Sequence, residues 1–138
     1  MSAEVFRGSC LCGAVRYEIA ADVLRFYHCH CSRCRKATGT GHASNLIVRP
    51  SSVSWLSGEE LISEYKVPEA ERFTNRFCGL CGSRVPRIGP DGSIGVIPAG
   101  SLDHDIDLKP DGRIFEGSRM SWTCDNTELP GYEDYPPK

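Results

Sequence analysis

Cysteine is the residue type that most constrains how this chain can fold. Eight of its 138 residues are cysteines, and seven of the eight lie in three short clusters. The clusters are Cys10-Leu11-Cys12, Cys29-His30-Cys31-Ser32-Arg33-Cys34 and Cys78-Gly79-Leu80-Cys81. In a reducing compartment, thiols spaced this closely bind metal more often than they pair as disulfides. The spacing therefore predicts that bound metal shapes the fold.

The N-terminal sequence gives no indication of export. It begins MSAEVFRGSC, which lacks the apolar stretch of a secretory signal peptide. The chain also has no run of about 18 apolar residues that would predict a transmembrane helix. We therefore expect a cytoplasmic protein with reduced thiols. A framework of four disulfides is the alternative for a secreted chain.

The charge balance gives no reason to expect nucleic acid or an anionic membrane as a partner. The chain has 16 basic and 18 acidic side chains, for a net charge of −2. Proteins that bind nucleic acid or anionic membranes through electrostatics carry an excess of positive charge. We expect neither kind of partner.

Short runs with strand character predict a mostly β protein. Between Ala14 and Ile19 the residues alternate, which places Val15, Tyr17 and Ile19 on one face of a strand. Further strands are predicted at 44–48, 53–56, 61–65, 72–77, 94–97 and 112–115. We expect a single domain over residues 1–138, built from small sheets that bound metal cross-links.

One short helix is predicted inside the middle cysteine cluster. It begins at Ser32, whose side chain is a favourable N-cap, and runs to Ala37. Thr38 and Gly39 follow as its stop signal.

The first and last clusters together form a set of four thiolates. Cys10 and Cys12 are two residues apart, so in an extended chain their side chains point to the same side. Cys78 and Cys81 enclose a glycine that permits a tight turn. Four cysteine ligands close a tetrahedral zinc site, which predicts a structural role.

The middle cluster offers three thiolates, and two kinds of site fit it. Three protein ligands with a fourth position open are typical of catalytic zinc. Alternatively, one further side chain closes the site and makes it structural; the candidates are His28, His30, His42 and Cys124. Iron–sulfur ligation is another alternative for clustered cysteines. Spacing alone leaves these alternatives open.

Basic residues accompany the middle cluster. Arg33, Arg35 and Lys36 lie within it or directly after it. Cations at this place would offset the negative charge of three thiolates on zinc and would attract a substrate with a carboxylate. Arg35, directly after Cys34, is the first candidate for a functional role.

Three stretches resemble the motifs of a known enzyme family. They are Gly8-Ser9-Cys10-Leu11-Cys12-Gly13-Ala14-Val15-Arg16-Tyr17-Glu18, Cys29-His30-Cys31-Ser32-Arg33-Cys34-Arg35 and Arg76-Phe77-Cys78-Gly79-Leu80-Cys81-Gly82. In order and content they resemble the glutathione-dependent formaldehyde-activating enzymes, a family that also contains centromere protein V. Gly100-Ser101-Leu102-Asp103 and Ile114-Phe115-Glu116-Gly117-Ser118-Arg119 continue the resemblance over nearly the whole chain.

The resemblance implies a fold of several coiled antiparallel β-sheets, similar to that of a small zinc-binding chaperone of Rab GTPases. It also implies two zinc ions per chain, one structural and one catalytic with a free position. The implied structural ligands are Cys10, Cys12, Cys78 and Cys81, and the implied catalytic ligands are Cys29, Cys31 and Cys34.

The activity that the resemblance implies is the joining of formaldehyde to glutathione, which in the cleaving direction is a carbon–sulfur lyase reaction. We expect a small thiol to bind at the free position as a thiolate and to attack the aldehyde. His30 or Arg35 would donate to the developing alkoxide. The alternatives are an enzyme acting on a different thiol adduct and a zinc-stabilised binding module without catalytic activity.

Overall fold

The computed structural model describes residues 3–123 and 129–138. The fold is mostly β, with 43% strand and 12% helix, which confirms the expected class. The strands are β1 (Glu4–Ser9), β2 (Arg16–Cys29), β3 (Ala43–Ser57), β4 (Ile62–Lys66), β5 (Thr74–Cys78), β6 (Arg87–Ile88), β7 (Gly95–Pro98) and β8 (Gly112–Ile114). Helix α1 is Ser32–Thr38, and three 3₁₀ turns span Glu59–Leu61, Ala99–Ser101 and Glu116–Ser118.

The larger sheet is built around two long antiparallel strands. Its order is β1-β2-β3-β7-β6, and β8 pairs in parallel with the end of β2. The β2–β3 pairing shifts register at three places, and one shift falls where Ala21 faces Pro50. Because a bulge bends a strand and tolerates proline, the chain can continue as a strand through Pro50. The strands predicted separately at 44–48 and 53–56 are therefore both parts of β3.

The second sheet is the hairpin of β4 and β5. Its register pairs Ile62 with Cys78 and Lys66 with Thr74. The hairpin therefore delivers Cys78 at the end of β5. Among the described residues, no helix has the length and apolar character needed to cross a membrane.

The main core lies against one face of the larger sheet. Val15, Tyr17 and Ile19 are fully buried, as the alternating pattern predicted. Tyr17 and Ile19 belong to the main cluster, where Leu46 and Ile97 pack with them. Val15 instead packs in a smaller cluster with two of the cysteines.

Helix α1 begins at Ser32, as predicted, and ends at Thr38, one residue beyond the predicted end, but its N-cap differs from the prediction. Its N-cap is Cys31, not Ser32, because the Cys31 side chain accepts the hydrogen bond from the backbone N–H of Cys34. Ser32 is already helical. Gly39 ends the helix in the left-handed conformation, with φ of 70°, as its position after Thr38 predicted.

Candidate metal centres and the adjoining cleft

Four cysteines from distant parts of the chain meet at one point. The ligand atoms of Cys10, Cys12, Cys78 and Cys81 all lie within 4.8 Å of one another. The Sγ atom of Cys12 is 3.6 Å from that of Cys10 and 3.9 Å from that of Cys78. In a tetrahedral site with Zn–S distances of about 2.3 Å, sulfurs lie about 3.8 Å apart. The donor set and its spacing fit zinc.

Two similar turns build this group. The N–H of Gly13 donates to the carbonyl of Cys10, and the N–H of Gly82 donates to the carbonyl of Cys78. Both glycines have φ near 80°, a conformation that suits glycine. Each turn also points a backbone N–H at a sulfur, from Val15 to Cys10 at 3.2 Å and from Leu80 to Cys78 at 3.4 Å. Such bonds stabilise thiolates.

The thiols of Cys81 and Cys12 differ in pKa. The hydroxyl and backbone of Ser83 lower the pKa of Cys81 to about 5. The backbone at Ala14 lowers the pKa of Cys12, but hydrogen bonding with Cys10 and the other sulfurs outweighs it and raises the pKa to about 11. Thiolates this close repel one another, so a bound cation is what allows all four to ionise.

The second group lies where β2 passes into α1. Cys29 ends the strand, Cys31 caps the helix and Cys34 lies in its first turn, and their ligand atoms lie within 4.8 Å of one another. No histidine or acidic side chain of residues 3–123 or 129–138 joins this group. Cys124, which the sequence offered as a possible fourth ligand, lies outside the described residues.

Hydrogen bonds and nearby charge shift the pKa values of Cys29 and Cys34 in opposite directions. Hydrogen bonding with Cys34 lowers the pKa of Cys29 to about 6, and the charge of Arg84 adds to this effect. The same bond with Cys29, together with burial, raises the pKa of Cys34. The amide of Asn45 lies 3.9 Å from the Cys34 sulfur. All seven described cysteines are free thiols, as metal binding requires.

Three of the four histidines lie together. The rings of His28 and His42 are 3.8 Å apart and nearly parallel, and the His30 ring is 5.1 Å from that of His42. His30 is 2% exposed, and neither of its ring nitrogens has a hydrogen-bond partner among the described residues. Burial lowers the pKa of both His28 and His30, with His42 adding to the effect.

The three-cysteine group opens on a cleft of about 460 Å³. Phe73 and Phe115 contribute to its apolar wall. No aspartate or glutamate of the described chain lines it, whereas four arginines do. These are Arg33, Arg76, Arg84 and Arg87. The cleft is suited to an anionic ligand.

The residues that the sequence predicted to assist catalysis are not those that line the cleft. Neither His30 nor Arg35 is among the residues that line this cleft, so their catalytic roles stay predictions. Arg84 and Arg87 were missed because nothing in the linear sequence links Arg84-Val85-Pro86-Arg87 to a cluster fifty residues earlier. Their position three and six residues after Cys81 is the signal that could have drawn attention to them.

Comparison with known proteins agrees with the cysteine geometry. The family described as glutathione-dependent formaldehyde-activating enzyme matches residues 5–118. The chain belongs to this family. A Halomonas elongata protein that bears the same enzyme name is 33% identical over 114 residues, which cover 78% of this chain and 71% of the relative.

A solved structure shares the fold of this chain. A Rhodobacter sphaeroides protein determined by structural genomics superposes with a TM-score of 0.57 at 23% sequence identity. The match covers 78% of this chain and 98% of the other. The family match confirms the resemblance noted in the sequence, and the solved structure agrees with the expected β fold.

Proposed function

We propose that this protein is a zinc-dependent carbon–sulfur lyase that acts on the adduct of glutathione, or a similar thiol, with an aldehyde. S-hydroxymethylglutathione is the simplest such adduct. The observation that carries the proposal is the position of Cys29, Cys31 and Cys34 in a cleft whose charged lining is arginine. A reactive thiol centre and a site for anions thus occupy the same place.

The two cysteine groups would hold zinc in different roles. Cys10, Cys12, Cys78 and Cys81 supply four sulfurs, which close a structural site. Cys29, Cys31 and Cys34 supply three sulfurs and leave room for an exogenous ligand. Zinc bound there would supply the power to hold a substrate thiol as its thiolate at neutral pH.

The arginines would select and orient the thiol. Glutathione carries two carboxylates, and guanidinium groups bind carboxylates through paired hydrogen bonds. Arg76 already pairs with Glu64 at 3.5 Å. Arg33 and Arg87 have no carboxylate partner within the described part of the chain, so both remain available for an anionic substrate.

The reaction itself needs little covalent assistance. In the cleaving direction the carbon–sulfur bond breaks, its electron pair stays on sulfur, and the hydroxyl loses its proton as the carbonyl forms. In the reverse direction the thiolate attacks the carbonyl carbon, and the oxygen takes up a proton. Holding both reactants in one cleft converts this encounter into a step within a complex.

The same thiols support a proposal for the cellular location. Both groups require reduced cysteines, which the cytoplasm maintains. We propose a cytoplasmic enzyme.

Metal analysis and exchange kinetics test the proposal. Purified protein is expected to contain two zinc ions per chain, one for each cysteine group. It should accelerate the exchange of ¹³C-formaldehyde with S-hydroxymethylglutathione, measured by magnetisation-transfer NMR. Cys31→Ser is the matched control that removes one thiolate from the cleft. Wild-type protein with two zinc ions but no acceleration over this control would contradict the lyase proposal and favour the binding module.

A further inference from the structure

Arg84 differs from the other arginines of the cleft in how firmly it is held. Its backbone forms a bridge with Phe77 of β5, and the next N–H, from Val85, donates to the carbonyl of Arg76. Its side-chain Nε donates to Oδ1 of Asn75 at 2.8 Å. The backbone and the Nε of Arg84 are therefore both held against β5, which limits the positions open to the guanidinium.

The surroundings of Arg84 leave part of its guanidinium uncommitted. Nη1 is buried and has no hydrogen-bond partner among the described residues. No described carboxylate forms an ion pair with this side chain. A guanidinium removed from water needs anionic or hydrogen-bonding partners to offset the loss of hydration.

Arg84 lines the same cleft as Cys29, Cys31 and Cys34. Burial lowers the pKa of Arg84 and the charge of Arg87 adds to this effect, whereas Cys34, and more weakly Cys29 and Cys31, counter it. The positive charge thus lies beside the sulfurs, at the place where a substrate thiol would react. In partly buried surroundings a fixed hydrogen-bond donor acts on a developing charge more strongly than it would in water.

We infer that Arg84 is a catalytic residue that donates a hydrogen bond to the adduct oxygen, and that Asn75 is the residue that positions it. The inference rests on the proposed function. As the thiolate sulfur bonds to the carbonyl carbon, the π electron pair moves to oxygen, which Arg84 stabilises until it takes a proton from water. In the cleaving direction the hydroxyl gives its proton to water, and the electron pair of the breaking carbon–sulfur bond stays on sulfur.

The experiment compares Arg84→Gln with wild type on two thiols. Glutathione carries carboxylates, whereas 2-mercaptoethanol carries none, and both form adducts with formaldehyde. If Arg84 acts on the reacting oxygen, kcat falls about 100-fold for both thiols, with KM little changed. Arg84→Lys should recover part of the loss because it retains a cationic donor. Asn75→Ala should lower kcat about tenfold without raising KM, since it only releases the guanidinium.

The control is Arg49→Gln, an exposed arginine of β3 away from the cleft lining, which should behave as wild type. Zinc content is measured for every variant. A loss confined to glutathione and expressed in KM would overturn the inference in favour of a carboxylate-binding role. Loss of zinc from Arg84→Gln would overturn it in favour of charge compensation of the thiolates. Equal rates for Arg84→Gln and wild type would overturn it while leaving the lyase proposal intact. An inactive wild type would overturn both.

Discussion

Cys31 caps the helix that carries Cys34: its Sγ accepts a hydrogen bond from the backbone N–H of Cys34 at 3.3 Å. Two members of the three-cysteine group are therefore fixed relative to each other by helix formation itself. Because the capping residue is also a metal ligand, helix formation holds its sulfur in position before metal binds. This lowers the entropy lost when the site assembles.

Replacing Cys31 by serine should keep the helix cap but remove the metal ligand. Serine is a good N-cap, so α1 is expected to form and the variant to fold with a melting temperature near that of wild type. The second zinc and the lyase activity should be lost. Metal analysis and thermal unfolding measure both outcomes. Cys31→Ala, which also loses the cap, should be less stable than Cys31→Ser by about 1 kcal/mol.

Replacing Cys78 by serine should have a much larger effect on stability. Cys78 is fully buried in a small core cluster with Cys10, Val15 and Val85. Metal bound at such a place contributes directly to the free energy of folding. We expect Cys78→Ser to unfold or aggregate during purification, as monitored by circular dichroism and size-exclusion chromatography. Equal losses of melting temperature in Cys78→Ser and Cys31→Ser would argue against one structural and one catalytic site.

The cysteine spacing predicted the candidate sites more completely than the hydrophobic pattern predicted the strands. The grouping of the Cys10 pair with the Cys78 pair could be predicted because two pairs of cysteines supply the four ligands of one tetrahedral site. Strand β1 was missed, since its alternation is short and ends in Gly8 and Ser9, which suggest a turn. Strand β2 extends ten residues beyond the predicted end at Ile19, because bulges let it continue after the alternation breaks.

The wrongly predicted Ser32 cap and the arginines of the cleft show a second limit of prediction from sequence. Sequence preference ranks serine as a cap above cysteine, but the sulfur of Cys31 occupies the capping position in the fold. Arg84 lines the same cleft as Cys29 and Cys34, and its backbone is held there by a bridge with Phe77 of the β4–β5 hairpin. Such long-range contacts depend on tertiary structure, which local pattern does not encode.

Gly8 is predicted to tolerate no side chain. A Cβ at this position would overlap the Tyr17 ring hydroxyl and the carbonyl oxygen of Ser101. Because Tyr17 is fully buried, it has little room to move, and overpacking of this kind costs about 1–3 kcal/mol. Urea unfolding of Gly8→Ala measures the loss. Gly100→Ala is the matched control, since a Cβ there meets nothing within 4 Å, and it should change stability by less than about 0.5 kcal/mol.

Tyr17 should make the fold sensitive to alkaline pH. Burial raises the pKa of its hydroxyl to about 12, although the bond with Ser101 counteracts part of the effect. The unfolded chain then loses this proton near pH 10, before the folded protein does. Stability from this group is complete below about pH 10 and declines as pH rises towards 12, with about 1.4 kcal/mol lost by pH 11.

Urea unfolding of wild type and Tyr17→Phe at pH 8 and pH 11 measures this contribution. Phenylalanine has no proton to lose, so Tyr17→Phe should be the less pH-sensitive protein by about 1.4 kcal/mol over this interval. Other groups that titrate in this range are common to both proteins and cancel in the difference. The hydroxyl of Tyr17 lies 2.6 Å from that of Ser101, so the variant starts from a lower stability at pH 8 because that bond is lost. Parallel declines in the two proteins would show that the Tyr17 hydroxyl ionises in the folded state as readily as in the unfolded chain.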